Sequence, residues 1–174
     1  MTKFRLLLLD ANVIFYLFSH GLWDAVLKVC DVHLSAIVKD ECQYYEDDEG
    51  VRHNIDWSKY AGRITLHDVT LDQVSALRSK VGATILERLD AGEEELLALL
   101  DHSFDDFKIC SGDTIVFRTL PVLGRSEQGI SLEEVLAGCG LPATVPPHYT
   151  RKTREDQTRR GFQDTITGLS THRE

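Results

Sequence analysis

The chain opens on a nearly continuous apolar run, Phe4-Arg5-Leu6-Leu7-Leu8-Leu9, that stops at Asp10. A short apolar run without alternation is the profile of a strand buried on both faces, as in parallel sheets covered by helices. The segments that follow agree with that setting. Val13 to Phe18 and Leu22 to Val29 have helical spacing, with Gly21 between them. Val32-His33-Leu34 reads as a short strand, and Ser35 is placed to cap a helix through Ala36, Ile37, Val38, Glu41 and Cys42. Arg63 to His67 reads as another strand. Thr70 with Gln73 forms a capping-box pattern ahead of Val74, Leu77 and Val81, and Asp90 with Glu93 repeats it ahead of Leu96, Leu97, Leu99 and Leu100. Phe107 to Cys110 is a fourth strand candidate, followed by Ser111-Gly112-Asp113 and a helix that Pro121 ends. Ser131 with Glu134 opens a last helix running to about Cys139. Strands alternating with helices of this length predict an α/β fold of βαβ units, with a parallel sheet covered on both faces.

A chain of 174 residues is sized for one domain, and its 43% apolar content is that of a globular protein. Residues 46–59 are polar and acidic and read as a surface excursion. From Pro142 the composition changes to a polar, arginine-bearing stretch with few apolar residues. The expected organisation is therefore a body over 1–141 and a polar, partly basic tail over 142–174, mobile or ordered on a partner. No apolar run approaches the ~18–20 residues of a membrane-spanning helix. Leu6 to Leu9 is also too short for the ~7–15-residue apolar region of a signal peptide, which predicts a cytoplasmic protein without membrane contact. The cysteines Cys30, Cys42, Cys110 and Cys139 form no CxxC pair, so buried thiols are expected rather than a zinc site. Net charge is −9; residues 150–174 carry six basic and four acidic groups, which leaves 13 against 24 in the body, a balance of −11. That acidity argues against broad, nonspecific nucleic-acid binding.

In a parallel sheet ligands gather beyond the carboxyl ends of the strands. Asp10 closes the first run, and Asp113 follows Phe107 to Cys110 by three residues. Helical spacing sets Glu41 beside the apolar stripe of Ile37 and Val38. It sets Glu93 on the face of Leu96, Leu97 and Leu100, with Glu94 and Glu95 rotated away by about 100° and 200°, Glu94 facing solvent and Glu95 the other candidate for the third acid. Each acid also has a structural explanation: Asp10, Asp113 and Glu93 as helix caps, Glu41 as a solvated side chain. Asp10 alone would suit a phosphoaspartate phosphotransfer domain, but haloacid-dehalogenase phosphatases carry a second Asp where this chain has Asn12. The seven histidines are scattered and show no zinc-binding spacing such as H-E-x-x-H.

The ordered set of motifs resembles one family. Leu7-Leu8-Leu9-Asp10-Ala11-Asn12-Val13-Ile14 is similar to the opening motif of PIN-domain ribonucleases. Asp90-Ala91-Gly92-Glu93-Glu94-Glu95-Leu96-Leu97-Ala98-Leu99 resembles the Gly-Glu-x-Glu helix start of a toxin-like branch, and Ser111-Gly112-Asp113 the Ser/Thr-x-Asp element after the fourth strand. Glu41 stands where the family has its second acid. The resemblance covers roughly residues 4–141.

That resemblance implies a three-layer α/β/α fold with a central twisted parallel sheet of four to five strands. It implies a Mg²⁺- or Mn²⁺-dependent endoribonuclease that hydrolyses RNA phosphodiester bonds, with Asp10, Glu41, Glu93 and Asp113 as metal ligands. Asn12 would orient Asp10 or a metal-bound water, and Ser111 would hydrogen-bond the substrate phosphate or Asp113. Clustered carboxylates are stable together when protonated or when a hard divalent cation binds them, so the chemistry is consistent. By the same resemblance the expected partners are RNA, a small antitoxin protein that restrains a toxin, and a second copy in a homodimer. The alternative is a catalytically inactive PIN-fold binding or assembly module, favoured by the acidic body and by the lack of a second acid in Asp113-Thr114-Ile115-Val116-Phe117-Arg118.

Overall fold

The computed structural model describes residues 4–8, 10–103, 106–141 and 144–168. It is a mixed α/β protein whose main sheet holds β1 (Phe4–Leu8), β2 (Cys30–Ser35), β5 (Ile64–His67) and β6 (Phe107–Cys110). The order is β5-β2-β1-β6, and every neighbouring pair is parallel. Register pairs Leu6 with Val32 on one side and with Lys108 on the other. Outside β6, a single parallel bridge joins Ile109 to Gly129, and Ile130 N donates to Ile109 O at 2.9 Å. Leu9, the last residue of the expected first strand, lies outside the described residues.

Helices α1 (Ala11–Ser19) and α2 (Trp23–Val29) connect β1 to β2, and α3 (Ala36–Glu41) follows β2. Between β5 and β6 come α4 (Leu71–Lys80), α5 (Ala83–Leu86) and α6 (Ala91–His102). The expected caps form. Ser35 accepts from Val38 N, and Thr70–Gln73, Asp90–Glu93 and Ser131–Glu134 each make both bonds of a capping box. Such caps satisfy backbone donors that a helix start otherwise leaves unpaired. The core is the meeting of Leu6, Val32, Leu34 and Ile109 from the sheet with Val13, Ile14 and Leu17 of α1 and Leu96, Leu97 and Leu100 of α6, all buried. Cys30, Cys42 and Cys110 are buried free thiols and Cys139 is half-buried.

Three regions differ from the sequence reading. The excursion at 46–59 is an antiparallel hairpin, β3 (Tyr44–Glu46) with β4 (Arg52–Asn54), followed by a 3-10 turn at Trp57–Tyr60. Aromatic packing fixes it to the body: Phe18 stacks on Trp23 and on Tyr45, and Trp57 Nε1 donates to Cys42 O at 2.7 Å. The histidines are not all scattered, because His33 Nδ1 and His67 Nε2 meet at 2.7 Å across β2 and β5. The C-terminal stretch is mostly a packed helix. After α7 (Thr114–Thr119) and α8 (Leu132–Gly138), α9 (Arg151–Thr167) lies against α7. Arg118 pairs with the buried Asp164, and Arg154 with Glu134 at 2.8 Å. Gly161 sits where a Cβ would run into the Arg118 carbonyl, so the two helix backbones are in close approach. Of the basic residues of this segment, Arg151 and Arg154 thus reach an acid of the body, Glu134, whereas Arg159 pairs with Asp156 of its own helix. Residues 142, 143 and 169–174 lie outside the described residues.

Candidate functional site: an acidic crevice at the carboxyl ends of β1 and β6

The chain runs outward from β1 through β2 to β5, then returns to the other side of β1 to form β6. Connections leaving β1 and β6 therefore diverge, and their carboxyl ends bound a crevice of the kind in which open α/β sheets hold ligands. Asp10 stands at one lip and Ser111-Gly112-Asp113 at the other.

Asp10 is buried and joins the two lips. Its Oδ1 accepts from Val13 N at 2.8 Å, which caps α1. Its Oδ2 accepts from Ser111 Oγ at 3.0 Å, Gly112 N at 2.5 Å and Asp113 N at 3.2 Å. Ser111, also buried, accepts from Asp113 N at 2.9 Å, so its backbone partner is Asp113 and its side-chain partner is Asp10. Asp113 is exposed and caps α7 through Ile115 N at 2.9 Å.

Glu93, 1% exposed, completes the capping box by accepting from Asp90 N at 3.1 Å. Burial above all, with the charges of Asp90, Asp113 and Asp10, pushes its carboxyl from 4.5 up to about 8. Glu41 ends α3 and is exposed; partial desolvation, then Asp90 and Asp10, raise its carboxyl as well. The four expected acids therefore share one electrostatic neighbourhood. Among the described residues none of them has an ion-pair partner, in contrast with Glu94, Asp101, Asp164 and Glu134 elsewhere. As the side chains stand, no three His, Cys, Asp or Glu groups among the described residues form a set that would hold a metal ion.

Two site expectations need correction. Of the two roles expected for Asn12, orienting Asp10 is not seen among the described residues: the hydrogen bonds to Asp10 come from Ser111 and from backbone N–H groups, while Asn12 is exposed on α1 and lines an adjoining cleft. Glu94 does not face solvent. Helix α6 is covered on a second side by α4, and there Glu94 is buried and bonded to Arg78 at 2.6 Å. Glu95 is half-buried and feels Asp68 rather than the Asp10 group, which separates it from Glu93.

Two further residues belong to the crevice. Asp90, legible in the sequence only as a cap, is felt, like Asp10, by both Glu41 and Glu93. Tyr149, from a 3-10 turn at Pro147–Tyr149, is buried over Gly112; a Cβ on Gly112 would meet its Cε1 at 2.7 Å and Asp10 Oδ2 at 3.1 Å. Burial, then the charge of Asp10, raises the Tyr149 hydroxyl, which stays a neutral donor. No sequence signal pointed to Tyr149, because it lies 36 residues beyond Asp113 in a segment without apolar periodicity.

The fold and crevice define the class: an α/β protein with a parallel sheet and an acidic site at its strand ends. Compared with protein-family models and with curated proteins, the sequence matches none. Among the described residues no helix is long and apolar enough to cross a membrane.

Proposed function

We propose that this protein is a PIN-like, metal-dependent endoribonuclease that hydrolyses RNA phosphodiester bonds. The observation that carries the reading is the placement of the buried Glu93 carboxyl, without an ion-pair partner among the described residues, in the company of Asp90, Asp113 and Asp10 at the strand ends, whose charges add to burial in raising it. The donor set is all carboxylate oxygen, which suits hard cations such as Mg²⁺ or Mn²⁺ rather than zinc. Asp10, Glu41, Glu93 and Asp113 are the residues that would hold such an ion. When bound, it supplies positive charge that makes a water more acidic and offsets charge on the phosphate.

The chain's own residues have separate tasks in this scheme. Ser111 and the Gly112 and Asp113 N–H groups fix the Asp10 carboxylate. Burial favours the protonated form of Glu93, and a bound cation would favour its carboxylate. Tyr149 limits water on the side of Gly112. The bonds of Asp10 to Val13 N and to the Ser111–Asp113 segment tie the start of α1 to the start of α7. The role of a toxin restrained by a small antitoxin protein belongs to the same proposal, as does the three-layer architecture.

The test is cleavage of a fluorescent single-stranded RNA with millimolar Mn²⁺ or Mg²⁺. Glu93→Gln keeps shape and the capping acceptor, so the rate should fall tenfold or more, each tenfold being ~1.4 kcal/mol of transition-state stabilisation. A folded Glu93→Gln protein that cleaves at the wild-type rate overturns the assignment and turns attention to Glu95. The second reading, a PIN-fold binding module without nuclease activity, is favoured by one observation: Asp10, Asp113 and Glu93 all serve as caps without gathering into an ion-holding set. Absence of metal-dependent cleavage by the wild-type protein selects it.

A further inference from the structure

Beside the acidic crevice lies a second cavity of about 490 Å³ that opens to solvent. Phe15 and Tyr16 of α1 form one wall, His148 and Tyr149 the other, and Asn12 and Asp113 lie on the side of the crevice. Its rings are already ordered. Tyr16 stacks on His20 with centroids 4.0 Å apart and meets the edge of Tyr149 at 5.4 Å, and His148 lies 4.1 Å from Tyr149. Among the described residues no lysine or arginine lines it. A phosphate finds no cationic side chain here, whereas a neutral planar ring finds an aromatic lining of the kind on which proteins stack unpaired bases.

The polar group at its mouth is selective. Asn12 is exposed and has no hydrogen-bond partner among the described residues, whereas Ser19, on the same helix, donates to Phe15 O at 2.8 Å. A free carboxamide offers a donor and an acceptor side by side, matching N7 and the N6 amino group of adenine. Guanine O6 and N7 are both acceptors and call for arginine or lysine. Asp113 adds a second acceptor, which repels guanine O6. Asp113 also belongs to the crevice, so a base in this cavity is joined by its own backbone to a phosphate beside the acids.

We propose that this cavity is a nucleobase subsite that takes an unpaired adenine of the RNA next to the scissile phosphate. The proposal rests on the ribonuclease reading for the identity of the polymer, and it assigns the protein a sequence preference read by α1 and the 147–149 turn.

Binding is measured in EDTA, where metal-dependent cleavage is off. The probes are fluorescent pentaribonucleotides UUAUU, UUGUU and UUUUU, with adenosine 5′-monophosphate as competitor. UUAUU should bind at least tenfold more tightly than the other two and more tightly than the mononucleotide. Asn12→Ala should reduce the preference for adenine over guanine to less than threefold. His148→Ala, at an exposed position that leaves the fold intact, should weaken UUAUU about fivefold. Equal affinity for the three oligonucleotides, or an undiminished preference in Asn12→Ala, overturns the proposal. So does a mononucleotide that binds as tightly as UUAUU, which would make this a site for free nucleotides. Cleavage in Mn²⁺ is scored separately. Cleavage without base preference removes the subsite and leaves the nuclease, whereas adenine-selective binding without cleavage removes the nuclease and leaves the subsite.

Discussion

Replacing Asp10 with Asn asks whether the carboxylate at the end of β1 is a repelled charge or a satisfied one. Clustering of acids predicts that neutralising it stabilises the metal-free protein. The hydrogen bonds predict the reverse. Oδ1 accepts from one backbone N–H, and Oδ2 from two more and a hydroxyl. Asparagine keeps one acceptor oxygen and turns the other into a donor. With its oxygen toward Val13, the NH₂ group faces the N–H groups of Gly112 and Asp113; with its oxygen toward Gly112, Val13 loses its cap. Either rotamer leaves at least one buried donor unpaired, at ~1–3 kcal/mol, and the remaining bonds lose charge assistance worth roughly 1 kcal/mol each. The offsetting relief is small at pH 7, because Glu93, raised to about 8, is then largely neutral.

The net expectation is a loss of roughly 2–4 kcal/mol, a melting temperature lower by roughly 5–15 °C for a chain of this size. Thermal melting and urea denaturation in EDTA at pH 7 measure it. A melting temperature equal to or above that of the wild type would refute the reasoning and show that repulsion dominates at this site. With Mn²⁺ added, wild type should gain RT ln(1 + [L]/Kd), ~2.7 kcal/mol at a hundredfold excess over Kd, and Asp10→Asn should gain less.

Glu93 makes the metal-free protein pH-sensitive: its folded carboxyl stands at about 8 against an ordinary 4.5, so the folded state holds a proton the unfolded state gives up between those values. This contribution to stability is full below about 4.5 and is lost as pH rises toward 8, so Glu93→Gln should flatten that part of the melting-temperature profile; an unchanged slope contradicts it. Glu41→Gln removes a charge that faces Asp90 and Asp10, so the metal-free protein should melt slightly higher and the Mn²⁺-induced shift should shrink; a full-sized shift removes Glu41 from the ion site. Gly161→Ala forces α9 away from the Arg118 carbonyl at a cost of ~1–3 kcal/mol. Limited proteolysis should then cut first within 150–168, and a wild-type cleavage rate there would show that α9 is not held by this contact.

The frame of the fold was legible because it rests on local signals. The apolar runs marked β1 and β6, and the boxes at Thr70, Asp90 and Ser131 marked helix starts through bonds that form within four residues. What stayed hidden depends on distant partners. The hairpin at Tyr44–Asn54 has only three residues per strand and is held by Phe18 and Trp57, and the aromatic residues that pack there, Tyr45, Trp57 and Tyr60, follow no strand or helix period. Helix α9 has exposed Phe162 and Ile166 and few buried positions, so no periodicity announced it; ion pairs with α7 and α8 and the gap left by Gly161 hold it. Glu94 was assigned to solvent because a helical wheel describes one buried face, whereas α6 has two. The order of the motifs groups Asp10, Glu41, Glu93 and Asp113 as one site, of which the described residues show Asp10 acting on both glutamates and no three acids placed to hold an ion. It did not reveal that Asp10 is held by the backbone of the opposite lip.

The structural and functional accounts of these acids differ in what they explain. Asp10, Asp90 and Asp113 occupy N-terminal caps, where backbone donors and the positive end of the helix dipole favour a carboxylate with no ligand present. Capping alone therefore accounts for their positions. It does not account for Glu93 being buried to the point that its carboxyl holds a proton, since an exposed glutamate closes a capping box equally well. Nor does it account for Glu41, which stands at the C-terminal end of α3, where the dipole disfavours negative charge and Asp90 and Asp10 add to the repulsion. Both glutamates are placed against their own electrostatic preference, and both lie beside the caps. A cation entering this crevice would turn those two unfavourable positions into favourable ones, which is why Glu41 and Glu93, rather than the better-bonded aspartates, discriminate between a metal site and a set of helix caps.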